Sequence, residues 1–333
     1  MNILIAMPKD VTTYSFLTES NLKKLESLGN VTWIEYAGGR ITPEILRDAL
    51  ADQDVCVCGW GIPRFEGVVL EKANRLKFIA YVAGSVNGVV SDEMYEKGIR
   101  ISCGNEGFAE SVAEGTMAYI LGNLRHLREY DLRNNNLWAP NPWLGERLLD
   151  KTVGIVGYGA ISRHLLRMLK PFHVQIKLFS NHTTEEQAKE MGVQKASLEE
   201  IFSTCDIVSL HCARSAANYH LIGAELLNSM REGALLINTS RGDVIDEETL
   251  IPLLQKGYIR AAIDVYEGPE PIAVTSPFRK LRDNVQLYPH IAGPTTDYRY
   301  YCALLAFHDL EHLIKGEPLE NEIKPWRAAM MSK

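Results

Sequence analysis

The sequence predicts an α/β protein built from two doubly wound parallel sheets, and three observations predict it. Short apolar runs alternate with longer amphipathic segments, the pattern of a parallel sheet flanked by helices. The alternation breaks at an Asn- and Pro-rich stretch, residues 134–143, and begins again at Lys151. The segment from Tyr300 to Lys315 returns to helix, so the first domain is expected to be discontinuous. The expected boundaries are 1–105 plus 297–333 for one domain and 106–296 for the other.

In chain order, strands are expected at 2–7, 31–36, 54–58, 77–82 and 99–102, with helix over 15–28. Thr42-Pro43 reads as the start of a helix over 43–51, a capping hydroxyl followed by proline. One long helix is expected over 106–130, where Ala109, Ala113, Met117, Ile120 and Leu121 are among many small and apolar positions. The Trp138–Trp143 part of the interruption suits a loop, at a dimer interface or at an active-site edge. Further strands are expected at 152–157, 174–179, 206–210, 234–238, 260–264 and 285–288.

The bulk numbers exclude several classes. The chain has 333 residues, 46% hydrophobic and 23% charged, which suits two soluble domains of ordinary size. A net charge of -7 argues against a nucleic-acid partner. No run is long enough to span a bilayer, and the start lacks the basic segment of a signal peptide. Cys56, Cys58, Cys103, Cys205, Cys212 and Cys302 show no framework spacing and read mostly as reduced core thiols, so a cytoplasmic protein is expected. His308 and His312 stand four apart, but two histidines with no third ligand in view read as helix surface, and no metal site is expected.

Val153 to Gly157 is a β-branched apolar run ending in Gly157-Tyr158-Gly159, with helix after it and a second strand at 174–179. Glycine there allows a tight turn and close approach of backbone to a pyrophosphate, and the helix N-terminus offers free N–H groups. The domain is therefore expected to be of the Rossmann dinucleotide-binding type, inserted in a flavodoxin-like substrate domain. Two residues depart from the fingerprint. Ser162 stands at the third glycine position, and Ser180 follows the second strand where an acid normally grips the ribose 2′-OH. No Asp or Glu occurs from Tyr158 to Thr184. The cofactor is expected to be NAD, with NADP left open. His182 and Arg214 are the candidate partners of a 2′-phosphate.

Three islands of the last third carry the chemistry: Asn238-Thr239-Ser240-Arg241-Gly242, Glu270-Pro271, and Pro289-His290-Ile291-Ala292-Gly293. Reducing a ketone needs a proton donor that titrates near working pH, and histidine is the natural choice. A carboxylate beside it favours the imidazolium and orients the ring. Arginine stays charged and can hold a planar carboxylate with two hydrogen bonds. Taken singly, each side chain has an ordinary structural explanation: Arg241 as a partner of Asp243, His290 as a buried histidine, Glu270 as a solvated loop charge.

With these motifs in order, the chain resembles the D-isomer-specific 2-hydroxyacid dehydrogenase family, which includes phosphoglycerate, glyoxylate/hydroxypyruvate and D-lactate dehydrogenases. The likeness runs from about Leu76 to Gly293 and also rests on Asp206-Ile207-Val208-Ser209-Leu210-His211 and Asp264-Val265-Tyr266. It implies that His290 is the general acid/base, Glu270 its partner and Arg241 the binder of the substrate carboxylate. Compared with the family pattern, one extra residue precedes Glu270-Pro271, so Glu267 is the alternative partner. The resemblance also implies cofactor contacts at Gly157, Gly159, Ala160, Ile161, Ser180, Thr239, Ser240 and Asp264. Ala83-Gly84-Ser85 stands where the family has a glycine-rich loop that binds the substrate carboxylate, and Trp60 follows a strand end where it could line the pocket or pack the core. A homodimer is a further family expectation. The expected reaction interconverts a 2-oxo acid and a D-2-hydroxy acid. The alternative is a non-enzymatic, dinucleotide-sensing corepressor-like protein on the same fold.

Overall fold

The computed structural model describes residues 1–131, 145–281 and 284–331. The 134–143 interruption, with the reading given to its tryptophans, lies outside the described residues. The chain runs through β1 (Asn2–Ala6), α1 (Val11–Phe16), α2 (Glu19–Leu28), β2 (Asn30–Trp33), α3 (Pro43–Ala49), β3 (Val55–Cys58), β4 (Phe78–Tyr81), α4 (Asp92–Glu96), β5 (Arg100–Cys103) and α5 (Asn105–Leu124). It continues through β6 (Thr152–Val156), α6 (Ala160–Leu169), β7 (Gln175–Phe179), α7 (Glu185–Glu190), β8 (Gln194–Lys195), α8 (Leu198–Thr204) and β9 (Ile207–Leu210). Then come α9 (Ala224–Ser229), β10 (Leu235–Asn238), α10 (Glu247–Gln255), β11 (Arg260–Ile263), β12 (Val285–Leu287), α11 (Arg299–Lys315) and α12 (Pro325–Met330). Two compact units result, Met1–Ala109 with Pro294–Lys333, and Glu110–Gly293.

The first unit holds a five-stranded parallel sheet in the order β2-β1-β3-β4-β5. This is the flavodoxin-like order. Every residue of β3 and β4 is buried, because helices cover both faces, and so these strands read as unbroken apolar runs. On one face Ile3, Ile5, Val55, Val57, Phe78 and Ala80 pack with Cys302, Ala306, Phe307 and Leu310 of α11. On the other, Leu4, Cys56, Cys58 and Ile79 pack with Leu46 and Leu50. The cysteines of β3 are thus core thiols, and all six cysteines are free.

The second unit holds a seven-stranded sheet in the order β12-β11-β10-β9-β6-β7-β8. All its neighbours are parallel. Renumbered within the unit, this is the Rossmann order with one added edge strand. Strand order reverses between β6 and β9, and in such sheets ligands sit beyond the carboxyl ends of the strands at that reversal.

Three expectations change in detail. Helix 15–28 is two helices, because Asp10 caps Thr13 N–H and Thr18 caps Asn21 N–H, each side-chain oxygen starting its own helix. The long helix ends at Leu124 and not at 130, because His126 takes a left-handed φ of 50° and the Leu127 N–H turns back to the Gly122 carbonyl. Two-residue β8 was not expected from so short a run. Among the described residues no helix is long and apolar enough to cross a membrane.

Candidate active site

The reversal point is built by a turn and a helix end. Gly157 leaves β6 with φ 98°, and a Cβ there would lie 2.7 Å from the His211 carbonyl oxygen, so only glycine fits. Gly159 is the N-cap of α6, carries no capping side chain, and has nothing within 4 Å of where a Cβ would stand. The first N–H groups of α6, those of Ala160 and Ile161, have no intrahelical partner and lie at the positive end of a ten-residue helix. Open space in front of such an end suits a phosphate. Ser162 is fully buried, and its hydroxyl donates to the Gly157 carbonyl at 2.7 Å. It ties helix to turn by a hydrogen bond where a glycine would do so by close contact.

After β7, Ser180 is buried and its hydroxyl oxygen accepts from His182 N–H at 3.2 Å and Thr183 Oγ1 at 3.0 Å. Of the two candidate partners for a 2′-phosphate, Arg214 is engaged by Asp243 at 2.7 Å, and His182 is exposed.

The loop after β10 is folded by one side chain. Asn238 Oδ1 accepts from Ser240 N–H at 3.1 Å and Ser240 Oγ at 2.8 Å, while its Nδ2 donates to the Arg241 carbonyl at 2.9 Å. Asn238 was part of the motif but had been given no role; its capacity to bond its own backbone two and three residues on was the available signal. Thr239 Oγ1 meets Thr116 Oγ1 at 3.1 Å. The Arg241 guanidinium donates to the Ser240 carbonyl at 2.7 Å. Among the described residues no carboxylate is in ion-pair contact with it. Burial pushes its pKa down and Arg214 adds repulsion, while Asp243 and Glu270 act the other way. The group remains charged at neutral pH.

Glu270 Oε2 lies 2.6 Å from His290 Nδ1, and the His290 side chain is 51% exposed, so the Nε2 edge is left for a reactant. Glu267 is held elsewhere: its carboxylate meets His220 Nε2 at 3.0 Å and Tyr219 Oη at 3.0 Å. His290 takes a left-handed φ of 57°, a conformation that non-glycine residues keep only when their surroundings impose it. The surroundings here are Asp264. Its main-chain carbonyl accepts His290 N–H at 3.0 Å, and its fully buried carboxylate accepts Ile291 N–H at 2.9 Å and Ala292 N–H at 3.0 Å. Tyr119 Oη donates to the same carboxylate at 2.9 Å and stacks on Tyr288. Burial, then the Asp264 charge, raises the Tyr119 pKa. Sequence reasoning gave Tyr119 no part.

In the first unit, Ala83 and Gly84 are buried, and Gly84 lies close under Phe108. Asn87 donates to the Ala328 and Met331 carbonyls at 3.0 Å each, which fastens the loop to α12. Trp60 is 51% exposed, not core, and meets Phe16 and Phe108 edge-on, with Arg299 over its ring at 5.6 Å.

Beside the β6 turn, His211 is partly buried, with Nε2 2.9 Å from Ser209 Oγ and a buried Nδ1 that has no partner among the described residues. Burial pushes its pKa down to about 4. The folded value lies below the unfolded one of about 6.5, so the unfolded chain takes up the proton first as pH falls. Stability is present above about pH 6.5 and is lost towards pH 4, by about 3 kcal/mol from this residue. Urea unfolding at pH 7 and pH 4.5 should show a smaller drop in His211→Gln than in the wild type; equal drops would refute this.

Comparison with known proteins identifies the scaffold. The family model for the D-isomer-specific 2-hydroxyacid dehydrogenase NAD-binding domain matches residues 117–292. A glyoxylate reductase of Korarchaeum cryptofilum is 33% identical over 255 residues, 75% of this chain and 76% of that protein. A D-3-phosphoglycerate dehydrogenase of Methanocaldococcus jannaschii is 30% identical over 92% of this chain, which spans 58% of that relative's length. The solved apo-structure of D-lactate dehydrogenase from Escherichia coli is similar with a TM-score of 0.73 at 26% identity, covering 97% of this chain and 100% of that one. With a matching family model, relatives at this identity and the same two parallel-sheet units, the chain belongs to the D-isomer-specific 2-hydroxyacid dehydrogenases, a family of oxidoreductases that use a nicotinamide dinucleotide.

Proposed function

We propose that the chain reduces a small 2-oxo acid to its D-2-hydroxy acid, with His290 as the general acid and base. The observation that carries this reading is Arg241: a partly buried guanidinium without a carboxylate partner among the described residues, within electrostatic reach of Glu270. A desolvated cation of this kind calls for an anion, and a planar carboxylate matches its fork. A bound reduced nicotinamide supplies the hydride to the substrate's C2. His290 Nε2 delivers a proton to the ketone oxygen, and in the reverse direction takes it back from the hydroxyl. Glu270 on Nδ1 sets the ring's orientation and stabilises its cation. Gly157, Gly159, Ala160 and Ile161 hold the pyrophosphate; Thr239, Ser240 and Asp264 line the nicotinamide side, with Asp264 also shaping the His290 turn. Relatives named glyoxylate reductase and D-3-phosphoglycerate dehydrogenase support a short, anionic substrate. A homodimer belongs to the same proposal and rests on the family resemblance; a cytoplasmic location belongs to it too and rests on the free cysteine thiols.

Cofactor choice is proposed to be weak. Ser180 brings no charge to repel a 2′-phosphate, and Arg214, held by Asp243, is not at liberty to attract one. The test is turnover of glyoxylate, hydroxypyruvate and pyruvate with NADH and NADPH. Activity with at least one acid is expected, with the two cofactor KM values within about tenfold, or 1.4 kcal/mol. No turnover with any acid would remove the catalytic reading, and a much larger ratio the cofactor reading. Gly159→Val puts bulk into the space before α6, where a Cβ meets nothing within 4 Å. It should lower stability by no more than about 1 kcal/mol, the cost of a poorer N-cap, and weaken dinucleotide binding by about tenfold or more, as read by fluorescence titration. Unchanged affinity would place the pyrophosphate elsewhere.

A further inference from the structure

We propose that His308, His312 and Glu320 form a binding site for a transition-metal dication of the Zn2+ class, sharing no residue with the catalytic site. The sequence places the two histidines four apart, hence on one face of α11, and their ring centroids are 4.1 Å apart. The third ligand, invisible in the spacing, comes from the segment that folds back along the helix. One donor atom from each of the three residues lies within 4.8 Å of the others. His308 Nε2 and Glu320 Oε2 are 3.8 Å apart. Ligand atoms about 2.0–2.2 Å from a tetrahedral ion stand about 3.4 Å from one another, so small side-chain rotations close the set.

The ligands are also prepared for the task. Pro318 O can only accept, so His312 Nδ1, 2.9 Å from it, carries the hydrogen. That leaves the Nε2 lone pair as the ring's free ligand, the way a metal-binding imidazole is usually held. Glu317 Oε2 lies 3.6 Å from the same Nε2 and is within reach as a further oxygen donor. The folded-back segment is clamped to the helix. Gly316 ends α11 with φ 72°, and Glu317 N–H donates to the His312 carbonyl at 2.8 Å. Asp309, beside His308 and fully buried, accepts Glu320 N–H at 2.9 Å, Asn321 N–H at 2.8 Å and the Ser102 hydroxyl. His308 and Glu320 are 46% and 64% exposed, so an ion and a completing water can enter. Two imidazoles with carboxylate favour Zn2+, Ni2+ or Cu2+ over Mg2+ or Ca2+.

The test is a titration of the full chain, stripped with a chelator, with Zn2+ in competition with a chromophoric indicator. One equivalent should bind with a Kd on the order of micromolar. His308→Ala and Glu320→Gln should each weaken binding by about tenfold or more while keeping wild-type turnover and metal-free melting temperature. Zn2+ should raise the melting temperature of the wild type and of neither variant. No saturable binding by about 100 µM Zn2+ would mean that these pairs are ordinary ion pairs and would overturn the site. Equal affinity in wild type and both variants would place the ion elsewhere, for example on a thiol, and would overturn it too.

Discussion

His290→Ala is expected to lower kcat by about three orders of magnitude. The residue is the proposed proton donor, its Nδ1 is occupied by Glu270, and its Nε2 edge is exposed to a reactant. Alanine removes the donor and also places a residue that resists left-handed backbone at φ 57°, so a loss could be blamed on the turn. His290→Asn answers this, because asparagine tolerates that conformation and cannot replace the imidazole as an acid. Both variants should lose kcat alike while dinucleotide affinity, fixed at the β6 turn, stays near wild type. Glu270→Gln keeps a hydrogen-bond acceptor for the ring and removes the charge, so a smaller loss of about 10- to 100-fold is expected. Steady-state reduction of the best 2-oxo acid at saturating cofactor reads all three. A kcat within tenfold of wild type in His290→Asn would take the proton transfer away from this residue.

The alternation of buried strands and helices was legible because a parallel strand covered on both faces must be apolar throughout, as β3 and β4 are. Helix ends were less so. The break at Thr18 depends on one capping oxygen, and the end of α5 on one left-handed histidine, features that hydrophobic period does not register. In the site, residue types and their order could be read, but not which partner each would find. Glu267 and Glu270 are three residues apart on one loop. What separates them in the structure is His220 and Tyr219, nearly fifty positions away, which take Glu267 and leave Glu270 beside His290. Asp264 was expected at the cofactor because of the family likeness. Its hydrogen bonds to Tyr119, Ile291 and Ala292 show a second task, shaping the turn that carries His290. Glu320 illustrates the same limit on the other unit. Eight residues beyond His312, it returns to the helix face only because Gly316 reverses the chain and Asp309 holds the return.

Gly242→Ala is expected to cost about 3 kcal/mol or more of folding stability. The φ of this glycine is not the reason. A Cβ built on it would stand 1.8 Å from the Tyr266 carbonyl carbon, 2.0 Å from its oxygen and 2.2 Å from Glu267 N. These are main-chain atoms and cannot rotate away. Tyr266 is itself pinned, with its hydroxyl donating to the Ile263 and Tyr288 carbonyls at 3.1 and 2.8 Å, and Glu267 N–H is pinned to Glu247 Oε1 at 2.7 Å. Relief therefore requires separating the loop after β10 from the loop after β11. The first carries Arg241 and the second leads to Glu270, so the substitution strikes stability and the proposed chemistry together. Denaturant unfolding should show a midpoint well below wild type, and whatever folded protein remains should have a raised KM for the 2-oxo acid, because Arg241 no longer keeps its place relative to Glu270. Gly159→Val is the control: it puts bulk on a glycine of the same unit where a Cβ meets nothing within 4 Å, and should cost no more than about 1 kcal/mol, through the poorer N-cap. A Gly242→Ala protein within about 1 kcal/mol of wild type would show that the two loops separate easily and that their close approach is not what sets the geometry of the site.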